Sequence, residues 1–187
     1  DLGPYTKYFY TLKKYPHSLI LTVDDDFIYP PYLIDQLYRA YLNNPEVIHC
    51  HRSHKMTFSV DGKLNPYKQW GWDHVDSTPS LHIFPTGVGG VLYFPGCFDA
   101  DVTNRDKLIK LCRSADDVWL KAMSLKKGIL CAQVKEYRAW SPRFLSIEGT
   151  QTFSLKRRNK NADSGNDIKL QAVFDHYQLW DAIKDNK

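Results

Sequence analysis

The pattern of apolar and polar residues predicts alternating strands and helices in the first fifty positions. The apolar, β-branched run Ser18–Val23 is typical of a strand buried on both faces, and an acidic triplet follows it. Apolar residues then recur at helical spacing from Leu33 to Leu42, and Glu46–Cys50 has the pattern of a second strand. A strand, a helix and a strand in this order indicate an α/β fold with a parallel pair of strands.

Beyond residue 50 the same patterns predict two more strands and three more helices. The stretch Glu148–Asn166 is polar and basic, so we expect a mobile loop there, within a single domain over residues 1–187. The further predicted elements are strands 91–94 and 129–134 and helices 104–112, 115–127 and 167–183.

Composition and charge exclude several classes of protein. A chain of 187 residues with 43% hydrophobic and 25% charged residues is globular rather than disordered. A net charge of +4 is too small for a protein that coats nucleic acid, although Lys156–Arg158 would suit an anionic ligand or a membrane surface. No apolar run approaches the ~20 residues of a membrane helix. The four scattered cysteines predict reduced thiols in a cytoplasmic protein, with two disulfides as the alternative.

The acidic triplet Asp24–Asp26 is the sharpest chemical signal in the chain. Adjacent carboxylates repel one another, and a bound cation offsets that repulsion. Ligands bind at the carboxyl ends of strands in α/β sheets, and Mg²⁺ or Mn²⁺ prefers oxygen ligands there. Alternation along a continuing strand would put Asp24 and Asp26 on one side and Asp25 on the other. The triplet predicts a divalent-cation site, with a solvated acidic turn as the alternative.

A second acidic motif, Asp116–Asp117, lies at the start of a predicted helix. The spacing of Ser114 and Asp117 fits a capping box, and acids in a first helical turn are stabilising, so a purely structural role is one interpretation. The other interpretation is chemical. A carboxylate near a cation–phosphate site can act as the base for an incoming hydroxyl group.

Three further patterns allow both a ligand and a packing interpretation. The turn Pro85–Gly90 lets the backbone approach a ligand closely, but it lacks the phosphate-loop signature. His49, His51 and His54 could hold zinc, or they could pack while Arg52 contacts phosphate. Trp72 would suit an aromatic platform for a sugar acceptor, or it could fill the edge of the core.

Four segments in this order resemble bacterial, family 2-like nucleotide-sugar glycosyltransferases of the GT-A fold. The triple Asp is similar to their DxD motif, and the likeness spans roughly residues 1–140, with the helix near Asn166 also similar. The four segments are Asp1–Lys7, Thr22–Asp26, Pro85–Gly90 and Ala115–Leu120.

The resemblance implies a role for each matching residue. Asp26 would bind Mn²⁺ or Mg²⁺ bridging the donor diphosphate, Asp24 would face the donor ribose or a metal-bound water, and Asp25 would support the pair. Lys7 would lie along the nucleotide. Asp117 would be the base, with Asp116 beside it. Gly87, Gly89 and Gly90 would shape the floor under the donor sugar and the acceptor. Beside the resemblance, Arg52 is a candidate contact for the donor, and Thr86, Trp72 and Trp119 are candidate contacts for the sugar or the acceptor.

The resemblance also implies a fold, a reaction and a location. We expect a Rossmann-like, mainly parallel mixed sheet flanked by helices, and transfer of a sugar from a nucleotide-diphosphate donor to a carbohydrate or lipid-linked acceptor. Surface polysaccharide or glycolipid assembly at the inner face of the membrane is the expected setting. The family has a first strand and a base pocket before the segment like Asp1–Lys7, so we expect a fragment lacking that strand or incomplete donor binding.

Two other functions fit some of the same motifs. In a phosphohydrolase of the haloacid dehalogenase kind, Asp24 would be the nucleophile, Asp26 the acid, and Asp116–Asp117 the Mg²⁺ ligands. Ile28 departs from that family, which has Thr or Val at this position. The other alternative is an inactive remnant that binds carbohydrate or nucleotide.

Overall fold

The computed structural model describes residues 2–136, 138–147 and 165–184. These residues form a mixed α/β protein with five α-helices, a four-stranded sheet and two small sheets. The predicted loop 148–166 lies outside the described residues as far as position 164, and a helix begins at Asn166.

Each helix and strand predicted from the sequence is present, with bounds that differ by a few residues and are mostly shorter. Four short strands and several 3₁₀ turns were not predicted, because they contain too few residues to show a period. The helices are α1 (Thr6–Lys14), α2 (Leu33–Asn43), α3 (Arg105–Cys112), α4 (Asp116–Leu125) and α5 (Asn166–Tyr177). The strands are β1 (Ile20–Thr22), β2 (Phe27–Ile28), β3 (Ile48–Cys50), β4 (Ser53–Lys55), β5 (Ile83–Pro85), β6 (Val91–Tyr93), β7 (Cys131–Gln133) and β8 (Leu145–Ser146).

The main sheet has the strand order β1-β6-β3-β7 and is mostly antiparallel, so the prediction of a mainly parallel sheet is wrong. Strand β6 pairs antiparallel with both β1 and β3, and β3 with β7 is the parallel pair. Strands β1 and β3 run in the same direction, as the strand–helix–strand pattern predicted, but β6 lies between them. Periodicity shows which side chains are buried, but it does not show which strands are neighbours.

Helices cover both faces of the main sheet. Val91 and Tyr93 of β6 belong to the larger core, which includes residues of α1, α3, α4 and α5. Leu92, between them, packs on the opposite face against Leu33 and Leu37 of α2. This alternation is the period of two that a strand imposes. The layered arrangement directs the segment after β1, the turn before β6 and the start of α4 towards one another.

The cysteines and the helices can be compared with the sequence predictions about thiols and membrane helices. Cys50, Cys97, Cys112 and Cys131 are all buried and free, which confirms the prediction of thiols. Within the described ranges, none of the helices combines the length and the apolar character that crossing a membrane requires.

Candidate functional site

Four segments that are distant in sequence meet beyond the end of β1. Lys7 of α1 places its Nζ atom 2.9 Å from Asp24 Oδ1 and 2.7 Å from Asp116 Oδ2. The backbone N–H of Gly87 donates to Asp117 Oδ1 at 2.9 Å. We call Lys7, Asp24, Gly87, Asp116 and Asp117 the Lys7 cluster. The structure therefore brings together predicted residues from all three chemical motifs and from the first segment of the chain.

Asp117 does not cap its own helix, so the capping-box interpretation is wrong. The residue at the cap position of α4 is Ala115, whose side chain makes no capping hydrogen bond. Ser114 adopts a left-handed conformation with φ of 69°, and its hydroxyl lies 3.4 Å from Lys169 Nζ. The Asp117 carboxylate instead accepts from Gly87, a residue of another segment. The first turn of α4 thus directs its acidic side chains into the cluster, where they still interact favourably with the helix dipole.

Other groups approach two glycines of the turn 85–90 closely, and at Gly89 the nearest atoms include the backbone of another segment. A Cβ atom at Gly87 would lie 2.7 Å from Lys7 Nζ and 3.0 Å from Asp117 Oδ1. A Cβ atom at Gly89 would lie 2.4 Å from Arg52 Cβ and 2.8 Å from the Arg52 backbone nitrogen. Both distances at Gly89 are shorter than real contacts allow. These glycines let the turn pack directly against the charged side chains.

Burial changes the acidity of the Lys7 cluster. Burial, and then the neighbouring Asp116 carboxylate, raises the pKa of Asp117 from 3.8 to about 7, although Lys7 and the Gly87 N–H oppose the change. Burial by itself would lower the pKa of Lys7, but Asp116, Asp117 and Asp24 outweigh it and hold that pKa above its ordinary value. Asp117 is consequently able to gain or lose a proton near neutral pH, while Lys7 stays charged.

Tyr29 is a site residue that the sequence did not reveal. Its hydroxyl accepts a hydrogen bond from the backbone N–H of Asp24 at 2.8 Å and donates one to the carbonyl of Val88 at 3.1 Å. The tyrosine therefore ties the acidic turn to the glycine turn. Nothing in the local pattern marks it, because a tyrosine between a strand and a helix is ordinary.

The acidic triplet lies in a turn rather than in a continuing strand. Strand β1 ends at Thr22, so the alternation argument does not apply to Asp24–Asp26. Asp24 is paired with Lys7, Asp25 is exposed, and the Asp26 carbonyl accepts from the Ile147 N–H at 2.9 Å.

The acidic turn offers only part of the coordination shell of a divalent cation. Among the described residues, no group of three or more His, Cys, Asp or Glu side chains is arranged to hold a metal ion. Mg²⁺ and Mn²⁺ are often held by one or two carboxylates together with phosphate oxygens and waters. The carboxylates of this turn suit that second mode, and Asp26 is the one to which the resemblance assigns the cation.

The three histidines predicted as possible zinc ligands each hydrogen-bond to a different backbone group. His49 and His51 hydrogen-bond backbone carbonyls through Nε2, at 3.0 and 3.4 Å. His54 accepts the backbone N–H of Asp73 at 3.2 Å through Nδ1. These separate contacts favour the packing interpretation over the zinc interpretation.

Arg52 lies beside the glycine turn, but its charge is already paired. Its Nε atom is 2.6 Å from Asp73 Oδ1, and one terminal nitrogen is 3.5 Å from the hydroxyl of Thr86. The guanidinium carbon lies 4.6 Å from the centre of the Trp140 ring. A direct contact of Arg52 with a donor phosphate, as the sequence suggested, stays a prediction, since the guanidinium has N–H donors besides the Nε that pairs with Asp73.

The two tryptophans predicted to contact a sugar have different surroundings. Trp119 is fully buried and its indole N–H donates to the carbonyl of Val102 at 3.0 Å, so the predicted ligand contact at this residue is wrong. The side chain of Trp119 lies on the side of α4 that packs into the core, and a match to a sequence motif could not show this. Trp72 keeps 45% of its surface exposed, which is compatible with a ligand contact.

Comparison with known proteins adds no assignment to this geometry. No protein-family model matches the chain, and a search of curated proteins finds no match either.

Proposed function

We propose that this chain is a metal-dependent glycosyltransferase that uses a nucleotide-diphosphate sugar and a GT-A-type arrangement of its site. The observation that carries the proposal is the Lys7 cluster, in which the acidic triplet, the glycine turn and the second acidic motif converge at the end of β1. Sequence order alone does not require these segments to meet. Their meeting supports a shared chemical role over independent roles as turns and caps.

Asp117 is the proposed base. The pKa of Asp117 is raised to about 7, so near neutral pH a good part of the carboxylate is ionised and still basic enough to accept the proton of an acceptor hydroxyl. A general base works best when its pKa lies near the working pH. The Gly87 N–H holds one carboxylate oxygen at 2.9 Å, and the other oxygen would take the proton of the incoming hydroxyl. A base acting on the face opposite the leaving diphosphate gives inversion at the sugar carbon.

Lys7 sets the charge of the site. The cluster contains three carboxylates and one ammonium group, and Lys7 pairs with two of those carboxylates. That pairing holds the Asp24 and Asp116 side chains close to Asp117. The Asp116 charge in turn helps to keep Asp117 basic.

The departing diphosphate needs positive charge, and a divalent cation at the acidic turn would supply it. Asp26 would hold the Mn²⁺ or Mg²⁺ together with phosphate oxygens, in the coordination mode described above. Stabilising charge as it develops on the leaving oxygen raises the rate of transfer rather than the affinity alone.

The proposal is tested by incubating the protein with Mn²⁺ and a panel of nucleotide sugars while nucleotide release and calorimetric binding are followed. Metal-dependent release from one donor is the expected result. Release of phosphate from sugar phosphates, with a covalent adduct on Asp24, would instead assign a phosphohydrolase. Sugar or nucleotide binding without any turnover would identify an inactive binding protein, and both outcomes contradict the transferase.

A pair of variants in the same turn separates a specific cation ligand from a general effect of charge. Asp26→Asn is expected to abolish metal-dependent donor binding in calorimetry while the circular dichroism spectrum is unchanged. Asp25→Asn, at an exposed neighbour with the same charge, measures the general effect of charge and should weaken donor binding far less. Equal binding by both variants would contradict the role of Asp26.

A further inference from the structure

A short segment around Trp72 is fixed against the edge of β4. Lys55 and Gly71 exchange two backbone hydrogen bonds, at 2.8 and 2.9 Å, and the His74 N–H donates to the Ser53 carbonyl at 3.0 Å. These bonds make residues 71–74 an addition to the small sheet rather than a free loop. Trp72 therefore has a defined position, and a ligand that meets it does not have to order the backbone.

Trp70 and Trp72, two residues apart, differ sharply in how much of their surface is exposed. Trp70 is 3% exposed, packs against Phe84 at 5.2 Å between ring centres, and donates its indole N–H to the Asn65 carbonyl at 2.8 Å. Trp72, two residues later, is 45% exposed. Trp70 therefore fills the core in this part of the fold, whereas nearly half of the surface of Trp72 is left open to a ligand.

The indole of Trp72 is supported by other aromatic rings. The ring of His54 lies 4.5 Å from it at an interplanar angle of 36°, and the ring of Tyr67 meets it edge-on at 5.7 Å. His54 is itself buried and is held by the Asp73 N–H. A rigid, partly exposed indole of this kind offers a flat apolar surface with little loss of side-chain entropy on binding.

Polar groups lie immediately beside this surface. The Asp73 carboxylate is half exposed and pairs with Arg52 Nε at 2.6 Å. Asp73, the residue after Trp72, holds a left-handed conformation with φ of 50°, which is uncommon for a residue other than glycine. Because the two charges offset each other, the rim favours a neutral ligand with several hydroxyl groups over an anionic one.

The surface around Trp72 is connected to the Lys7 cluster through the glycine turn 85–90. Arg52 reaches the hydroxyl of Thr86 at 3.5 Å, and Thr86 precedes Gly87, whose N–H holds Asp117. Tyr67, which contacts Trp72, is also close enough to Asp117 that the carboxylate, after burial, contributes to raising the pKa of the tyrosine. Trp72 and the proposed base thus share neighbours, Tyr67 directly and Arg52 through Thr86 of the glycine turn.

We propose that Trp72, with Asp73 and Arg52 at its rim, is a binding platform for a hexopyranose ring, whose apolar C–H face stacks on the indole while its hydroxyls bond to the rim. That this sugar is the acceptor rests on the proposed function; that the platform binds a neutral sugar does not. The acceptor is accordingly a carbohydrate rather than a bare lipid phosphate or a protein side chain.

Binding is tested without donor or metal, so the result does not depend on transferase activity. Maltose, cellobiose and lactose are titrated separately into the full chain, with saturation-transfer NMR and calorimetry as readouts. At least one disaccharide is expected to bind at millimolar concentration, and Trp72→Ala is expected to weaken it at least tenfold. Trp72→Phe, which keeps a smaller ring, should retain an intermediate affinity.

The control is Tyr10→Ala, which removes another exposed aromatic ring from the outer surface of α1. It should leave sugar affinity unchanged, and thermal melts of all variants should agree with the wild type. Failure of all three sugars to bind, equal loss in the control, or competition by uridine monophosphate for the same NMR contacts would overturn the proposal. With an active donor, Trp72→Ala should raise the acceptor KM at least tenfold, whereas Tyr10→Ala should leave it unchanged. Sugar binding without any transfer would leave the platform standing and contradict the transferase alone.

Discussion

The acidic triplet Asp24–Asp26 and the acidic pair Asp116–Asp117 consist of the same residue type in different environments. The triplet lies in a turn, with Asp25 in solvent and Asp24 balanced by an ammonium group. The pair begins a helix whose other residues are buried, and Asp117 is held by a backbone N–H rather than by a cation. One motif is suited to binding charge and the other to exchanging a proton.

The difference comes from what surrounds each carboxylate rather than from the sequence of each motif. A solvated or cation-paired carboxylate stays ionised and attracts positive charge. A buried carboxylate beside another acid holds its proton more tightly, as the pKa of about 7 at Asp117 shows. Sites that carry out acid–base chemistry commonly contain titratable groups whose environments separate their acidities in this way.

The largest effect is expected from Asp117→Asn, which keeps the hydrogen bond to Gly87 and removes the base. Transfer should fall by roughly 10²–10⁴-fold, the usual contribution of a general base, while donor binding measured by calorimetry is retained. Transfer at the wild-type rate by this variant would contradict the role of Asp117 as the base and the proposed difference between the two acidic motifs.

The same variant has a stability signature that does not depend on activity. Because the pKa of Asp117 is raised in the folded state, the folded protein binds more protons than the unfolded chain, and wild-type stability falls as pH rises from about 4 to about 7. Asp117→Asn should flatten this decline and be more stable than the wild type at pH 8, by on the order of 1–3 kcal/mol. Urea denaturation at several pH values measures the difference.

An intermediate effect is expected from Lys7→Met, which removes the charge shared by the two motifs. Asp24 and Asp116 would lose their partner in a partly buried site, so the free energy of unfolding should drop by about 2 kcal/mol at neutral pH. Loss of Lys7 should also raise the pKa of Asp117 further, which shifts the acid limb of the pH–rate profile to higher pH. Lys13→Met on the same helix is the control. A profile unchanged from the wild type would show that the motifs are not coupled through Lys7.

The smallest effect is expected from Tyr29→Phe, which keeps the ring but removes the link between the acidic turn and the glycine turn. The loss of the hydrogen bonds to Asp24 and Val88 should lower stability by about 1 kcal/mol. Transfer should slow by a few fold, with the pH profile unchanged because no charge is altered. A shift of that profile would indicate that Tyr29 acts on Asp117 rather than on the spacing of the turns.

Several features of the site were predictable from local chemistry. The triplet after a buried strand, the acids at a helix start and the glycine turn were all recognisable, because each combines unusual residue types in a short segment. Tyr29, Tyr67 and Asp73 were not predicted, because their importance comes from partners elsewhere in the chain. Trp119 was assigned wrongly because a motif does not state which side of a helix is covered.

The sequence by itself determined the positions of the helices and the longer strands, since hydrophobic periodicity is a local property that burial in any compact fold must satisfy. It also determined which carboxylates were available for chemistry. Only the tertiary structure decided that β6 lies between β1 and β3 and that Asp117 bonds to Gly87 instead of capping α4. Those outcomes depend on pairing and burial between distant segments, and the acidity of a carboxyl group follows from them because desolvation and neighbouring charge exist only once the chain has folded.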